Sequence, residues 1–230
     1  MGNRNGAVFL LDVDNTLLDN DRVERDLHEH LERALGTNSR RRYWAIFEEL
    51  RAELGYADYL GALQRYRVEH PRDPHILEVS SYLIDYPFAE RLYPGSLAAT
   101  ARLRTWGPTV ILSDGDAVFQ PRKVQRSGLR DVVGGRVLIY IHKEQMLDDI
   151  ENKYPALHYV MFDDKLRILA AMKEGWGDRL TTVWVVQGRY AHDPRATAGY
   201  PAADVRLEQI ADLAHMHLPE LLGGSFAGRG

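Results

Sequence analysis

Cysteine is absent from the 230 residues, which excludes disulfides and thiolate metal sites and is compatible with a reducing compartment. No apolar run approaches the roughly 18 residues that a membrane span requires, and the start, Met1 to Gly6, is polar and glycine-containing. A cytoplasmic protein with no membrane partner is expected. A dominant charge is also missing: 29 basic against 33 acidic residues give a formal net charge of -4. The chain as a whole therefore has no attraction for polyanions, nucleic acid is not an expected partner, and an anionic substrate would need local help. Internal repeats and low-complexity stretches are lacking too, apart from a glycine-dense tail, Gly223 to Gly230, for which disorder is expected.

What is present is enough apolar sequence, 45% of residues, for one substantial core and a smaller appended domain. Five short apolar runs stand out: Ala7 to Leu11, Thr109 to Leu112, Val137 to Ile141, Tyr159 to Phe162 and Val183 to Val186. Continuous rather than alternating hydrophobicity, with amphipathic stretches between runs, predicts a parallel sheet buried on both faces by helices. The runs end in Asp12, Ser113, His142-Lys143, Asp163-Asp164 and Gln187-Gly188. In open parallel sheets ligands bind beyond the carboxyl ends of the strands, so these polar endings nominate one site.

Between the first run and the second lies far more chain than the dozen or so residues of a simple crossover. There Val23, Leu27, Leu31 and Leu35 recur at helical spacing, followed by Phe47, Leu50 and Leu54, then Ile76, Leu77, Ser80, Leu83 and Ile84. An all-helical insertion over 20–90 is expected, leaving 1–19 and 91–230 as the core. The return through Tyr93-Pro94-Gly95-Ser96 reads as a turn and a helix start.

The strongest local signal is Asp12-Val13-Asp14-Asn15-Thr16, two carboxylates two positions apart leaving an apolar strand. Extended geometry points both the same way, and close carboxylates repel unless a hard cation or a shared proton intervenes. A cap or turn built from Asp14, Asn15 and Thr16 would explain the segment equally well if it stood alone. Ser113-Asp114-Gly115 offers a hydroxyl and backbone N-H groups to an oxyanion, or else an ordinary helix cap. Lys143 could neutralise that anion. Asp163-Asp164 at the end of another apolar run again asks for a cation.

In this order, Asp-x-Asp-x-Thr, Ser, Lys and Asp-Asp, each after its own strand, the chain resembles the haloacid dehalogenase superfamily, chiefly its phosphatases, over nearly its whole length. The resemblance implies an α/β, Rossmann-like parallel core with a helical cap domain, Mg2+ as cofactor, and hydrolysis of a small phosphorylated metabolite through an aspartyl phosphate. It implies that Asp12 is the nucleophile, that Asp14 moves protons, that Ser113 and Lys143 hold the transferring oxygens, and that Thr16 steadies the loop. Asp114 falls among the substrate-binding residues. Magnesium would take Asp12, the backbone carbonyl of Asp14, and Asp163, with Asp164 ligating or orienting. The last motif departs from the commoner Gly-Asp-x-x-x-Asp form, since Phe162 precedes its first acid and Arg167 stands where the last acid would be.

A 2-haloacid dehalogenase of the same superfamily would share the nucleophile but gives Asp14 no alkoxide to protonate. A phosphonate-cleaving relative needs a cap amine, and residues 20–90 hold no lysine. A phosphomutase differs mainly in how the cap excludes water. A receiver-like signalling protein has a similar residue set on a chain about half as long, and a non-catalytic phosphate-binding protein could sit on this scaffold. The cap arginines, including Arg40, Arg65 and Arg72, read mostly as a solvated face paired with acids. A monomer or homodimer is expected.

Overall fold

Along each central strand alternate residues turn to opposite sides of the sheet, and both sides are apolar. In the computed structural model, which describes residues 5–222 (backbone alone for Asn5), Phe9, Leu11, Val160, Phe162 and Val183 face one core. Val8, Leu10, Val110, Tyr159 and Met161 face a second. The glycine-dense tail lies outside the described residues. The strands are β1 (Asn5–Leu11), β2 (Thr109–Asp114), β3 (Val137–Tyr140), β4 (Ala156–Asp163), β5 (Leu180–Val185) and β6 (Val205–Leu207). They form one six-stranded sheet in the order β3-β2-β1-β4-β5-β6, with every pairing parallel. This is an α/β, Rossmann-like fold. Five strands coincide with the apolar runs; the edge strand β6 does not, being three residues long with Arg206 at its middle.

The insertion that follows β1 carries three α-helices, α1 (Asn20–Leu54), α2 (Tyr59–Glu69) and α3 (Ile76–Asp85). Asp19 caps α1 by accepting the Arg22 N-H. Gly36, at φ 79° and ψ 169°, breaks α1 into two helical pieces, a conformation glycine adopts without a Cβ clash. Val23, Leu27, Leu31, Phe47 and Leu50 are buried as the spacing predicts, but α3 buries Ile76, Val79 and Leu83 and leaves Leu77 exposed. These side chains join the first core of the sheet. The remaining helices are α4 (Ser96–Trp106), α5 (Phe119–Arg126), α6 (Leu129–Val132), α7 (Leu147–Lys153), α8 (Leu166–Trp176), α9 (Gly188–His192), α10 (Pro194–Thr197) and α11 (Leu218–Leu221).

The exit of the insertion is stitched to its return. Tyr93 N-H donates to Leu17 C=O at 2.9 Å, Asp19 N-H to Arg91 C=O at 2.8 Å, and the Ser96 hydroxyl to Leu17 C=O at 2.7 Å. Asp26 on α1 completes the seam by accepting from the Tyr86 hydroxyl and from Arg91 Nε at 2.8 Å. Among the described residues no helix is long and apolar enough to cross a membrane.

Burial alone would raise the Asp26 carboxyl, but the Tyr86 hydroxyl and the Arg91 guanidinium outweigh it and hold the carboxyl below its ordinary value. The folded pKa is thus below the unfolded one, so this contribution is present above the unfolded value of about 4 and is lost as pH falls. Urea denaturation of Asp26→Asn against wild type should show the stability difference greatest near neutral pH and shrinking below about pH 4. A difference independent of pH would contradict the assignment.

Candidate active site

β1 is central in the sheet, and the chain crosses to β2 on one side and β4 on the other, so the crevice where ligands bind opens above β1. Register places the acids: Leu11 lies opposite Phe162, and Asp12 N-H donates to Phe162 C=O at 3.0 Å. Asp12, at the end of β1, is therefore level with Asp163 at the end of β4. Both are buried, as are Asp164 and Lys143.

Lys143, just past β3, reaches across the ends of three strands. Its ammonium stands 2.6 Å from Asp12 Oδ1 and 2.7 Å from Asp163 Oδ2, and donates to Leu112 C=O at 3.3 Å. The Asp163 contact is close enough for charge pairing but off the line of a hydrogen bond, so Asp163 Oδ2 has no hydrogen-bond partner. Thr16 donates its hydroxyl to Asp12 Oδ2 at 3.2 Å. Both oxygens of Asp12 are thereby oriented. Asp164 is fully buried and neither of its carboxylate oxygens has a hydrogen-bond partner; the nearest cation, Lys165, stands 3.7 Å away.

One oxygen from each of Asp12, Asp163 and Asp164 lies within 4.8 Å of the others. Burial drives up all three carboxyls. At Asp12 the positive charges of Lys143 and Lys165 outweigh burial and bring the group below its ordinary value. At Asp163 burial prevails over Lys143, and at Asp164 it lifts the carboxyl well above the usual range. Burial opposes the Lys143 ammonium, but Asp12 and Asp163 more than compensate, so it stays protonated. Three acids against two lysines, with buried hard oxygens that lack a hydrogen-bond partner, are what a divalent cation such as magnesium would satisfy.

Asp14 has other company. Its Oδ1 accepts from Lys123 Nζ at 2.6 Å and its Oδ2 from Gln120 Nε2 at 3.3 Å. Lys123 also donates to Asn20 Oδ1 at 2.9 Å, and Gln120 to the Ser113 hydroxyl at 2.9 Å. Asp14 lines a cavity of about 360 Å³ with Tyr59, Gln120, Lys123, Lys165 and Tyr190. Between the acids and α1, Asn15 holds a positive φ of 63°, tolerable for asparagine, and its Oδ1 accepts the N-H of Asn20 at 3.0 Å. A Cβ on Gly188 would stand 2.4 Å from Asn15, which gives the glycine after β5 its reason.

The structure thus gathers Asp12, Thr16, Lys143, Asp163 and Asp164 into one cluster, with Asp14 and Ser113 joined beside it through Gln120. Asp114, expected among the substrate-binding residues, lines the same cavity as Asp14. Its Oδ1 accepts the backbone N-H of Lys143 at 2.7 Å, fixing the turn that carries the lysine, and burial lifts its carboxyl to about 6 despite Lys143. Gln120, Lys123 and Asn20 escape sequence reasoning. The one available cue is that Gln120 and Lys123 sit three apart on α5 and therefore share a helical face.

A family model described as haloacid dehalogenase-like hydrolase matches residues 7–175. The chain belongs to the haloacid dehalogenase-like hydrolases. A Burkholderia xenovorans LB400 structure, assigned to these hydrolases by name alone, is 63% identical with a TM-score of 0.90, the match covering 94% of this chain and 99% of that one. The Bacillus subtilis protein named as HAD-hydrolase YfnB, bound to magnesium, is 16% identical over 92% of this chain and 98% of its own, at a TM-score of 0.59. An L-2-haloacid dehalogenase from Xanthobacter autotrophicus is 17% identical over 90% and 96%, at 0.58. These two share the fold. No curated protein matches the chain.

Removing Lys143 leaves Asp12 and Asp163 buried without their shared cation, a change that typically costs about 3–5 kcal/mol. Lys143→Met, measured by urea denaturation in the presence of chelator, should lose stability of that order. A loss below about 1 kcal/mol would contradict the buried pairing.

Proposed function

We propose that this hydrolase is a magnesium-dependent phosphatase acting on a small phosphorylated metabolite. The observation that carries the reading is the division of labour between the two acids that follow β1. Asp12 is locked into a buried carboxylate cluster short of positive charge, while Asp14 stands outside it and faces the cavity. Asp12, with one oxygen held by Lys143 and the other by Thr16, attacks phosphorus; the bond to the leaving oxygen breaks as that oxygen takes a proton from the Asp14 carboxyl. Water then attacks the same phosphorus, giving a proton back to Asp14 and releasing Asp12 as a carboxylate.

The acid cluster fits magnesium by donor type and by its buried oxygens that lack a hydrogen-bond partner. Asp12, Asp163 and the Asp14 carbonyl would hold the ion, with Asp164 ligating or orienting; bound there it supplies positive charge against the phosphoryl oxygens. The magnesium named with the Bacillus subtilis relative supports this. Ser113 and Lys143 flank the transferring group, and the helical insertion over 20–90 acts as a cap that selects the leaving group. The likeness to L-2-haloacid dehalogenases is at the level of fold. Halide departs without needing a proton, which would leave Asp14 idle.

Hydrolysis of 4-nitrophenyl phosphate should require magnesium, fall by at least about 10⁴-fold in Asp12→Asn, and fall by about 10²-fold or more in Asp14→Asn. Phosphate release with and without EDTA checks all three. Halide release from a 2-haloacid, with no phosphatase activity, would sink the proposal.

A further inference from the structure

Helix α5 follows β2 by a short loop and turns Gln120 and Lys123 toward the cavity. Lys123 is 1% exposed, a burial that an ammonium tolerates only when paired and hydrogen-bonded. Its partners are Asp14 Oδ1 at 2.6 Å and Asn20 Oδ1 at 2.9 Å, with the Phe119 ring centroid 5.3 Å away. Asn20 opens α1, so the lysine ties the second acid after β1 to the first residue of the helical insertion. Gln120 takes the other Asp14 oxygen. Asp14 is thereby gripped at both oxygens by one helix, and in a carboxyl group that grip fixes the direction in which a proton can be handed over.

We propose that Lys123, seconded by Gln120, is the positioning residue for Asp14 and so determines which leaving groups the enzyme can expel. This rests on Asp14 being the proton donor of the proposed phosphatase reaction. As the phosphorus–oxygen bond breaks, its electron pair moves to the leaving oxygen, the Asp14 proton follows, and the negative charge left on Asp14 falls beside the Lys123 ammonium. In the bond-breaking step an ester whose leaving oxygen is already a weak base depends little on that proton and an ester of a more basic oxygen depends on it heavily, whereas the water step needs Asp14 equally after either ester.

The test compares 4-nitrophenyl phosphate with phenyl phosphate, whose leaving oxygen is much the more basic, on the full chain with magnesium. Lys123→Met should lose at least about ten times more kcat/KM on phenyl phosphate than on 4-nitrophenyl phosphate, because kcat/KM reports the step in which the leaving oxygen departs. Lys123→Arg should recover most of the difference. Lys123→Gln, which keeps a donor in the buried position, carries the same comparison if the methionine variant does not fold, and melting temperatures of all variants accompany the kinetics. Equal losses on the two esters, or none on phenyl phosphate, would overturn the role of Lys123 while leaving hydrolysis through Asp12 intact. A wild-type enzyme that cleaves neither ester overturns the phosphatase reading itself, and this inference with it.

Discussion

Three carboxylates brought to the ends of two neighbouring strands, out of water, set the terms for the rest of the molecule. Asp12 and Asp163 come level because β1 and β4 pair in parallel with Leu11 opposite Phe162, and Asp164 follows at once. Such a group is tolerable only with positive charge inside it. Lys143 provides one charge at 2.6 and 2.7 Å, and its turn is fixed in place by Asp114. Lys165 stands further off. The oxygens of Asp163 and Asp164 without a hydrogen-bond partner mark what remains uncompensated, and the same deficit that penalises the protein alone is what would draw in a divalent ion.

Two residues beyond Asp12 the surroundings change completely. Asp14 is held by side chains of α5 rather than by the acid cluster, and it meets the cavity beside Tyr59 and Tyr190. Environment, more than residue type, gives two carboxylates different work. On our proposal one is a nucleophile whose orientation is fixed by Lys143 and Thr16, and the other a proton carrier whose direction is fixed by Lys123 and Gln120. The helical insertion bears on both, because Asn20 at its start touches Lys123 and donates its backbone N-H to Asn15.

Much of this was legible in the chain. Strands buried on both faces are written as continuous apolar runs, and the polar residues ending them are necessarily neighbours once the sheet is parallel. The gathering of Asp12, Lys143 and Asp163 follows from that. β6 was not legible, since Val205-Arg206-Leu207 has neither the length nor the uniformity of a buried strand. The buried face of α3 shifted to Val79 because the helix packs along one stripe, and Leu77 falls outside it. Asp114 lines the cavity and also accepts from a backbone N-H twenty-nine positions on. Nothing local announces that. Lys123 and Gln120 were hidden for the same reason: their partners are set by how α5 docks over the strand ends, a tertiary fact without a local signature.

On our proposal Asp12 carries the phosphoryl group. The most direct measurement is to quench the magnesium-loaded enzyme in acid during turnover of 4-nitrophenyl phosphate, reduce it with borohydride, and map the product by peptide mass spectrometry. An aspartyl phosphate is reduced to homoserine, so the account predicts that change at position 12, dependent on both substrate and magnesium. Homoserine at another aspartate, or an unmodified Asp12 in an enzyme that is turning over, would contradict it.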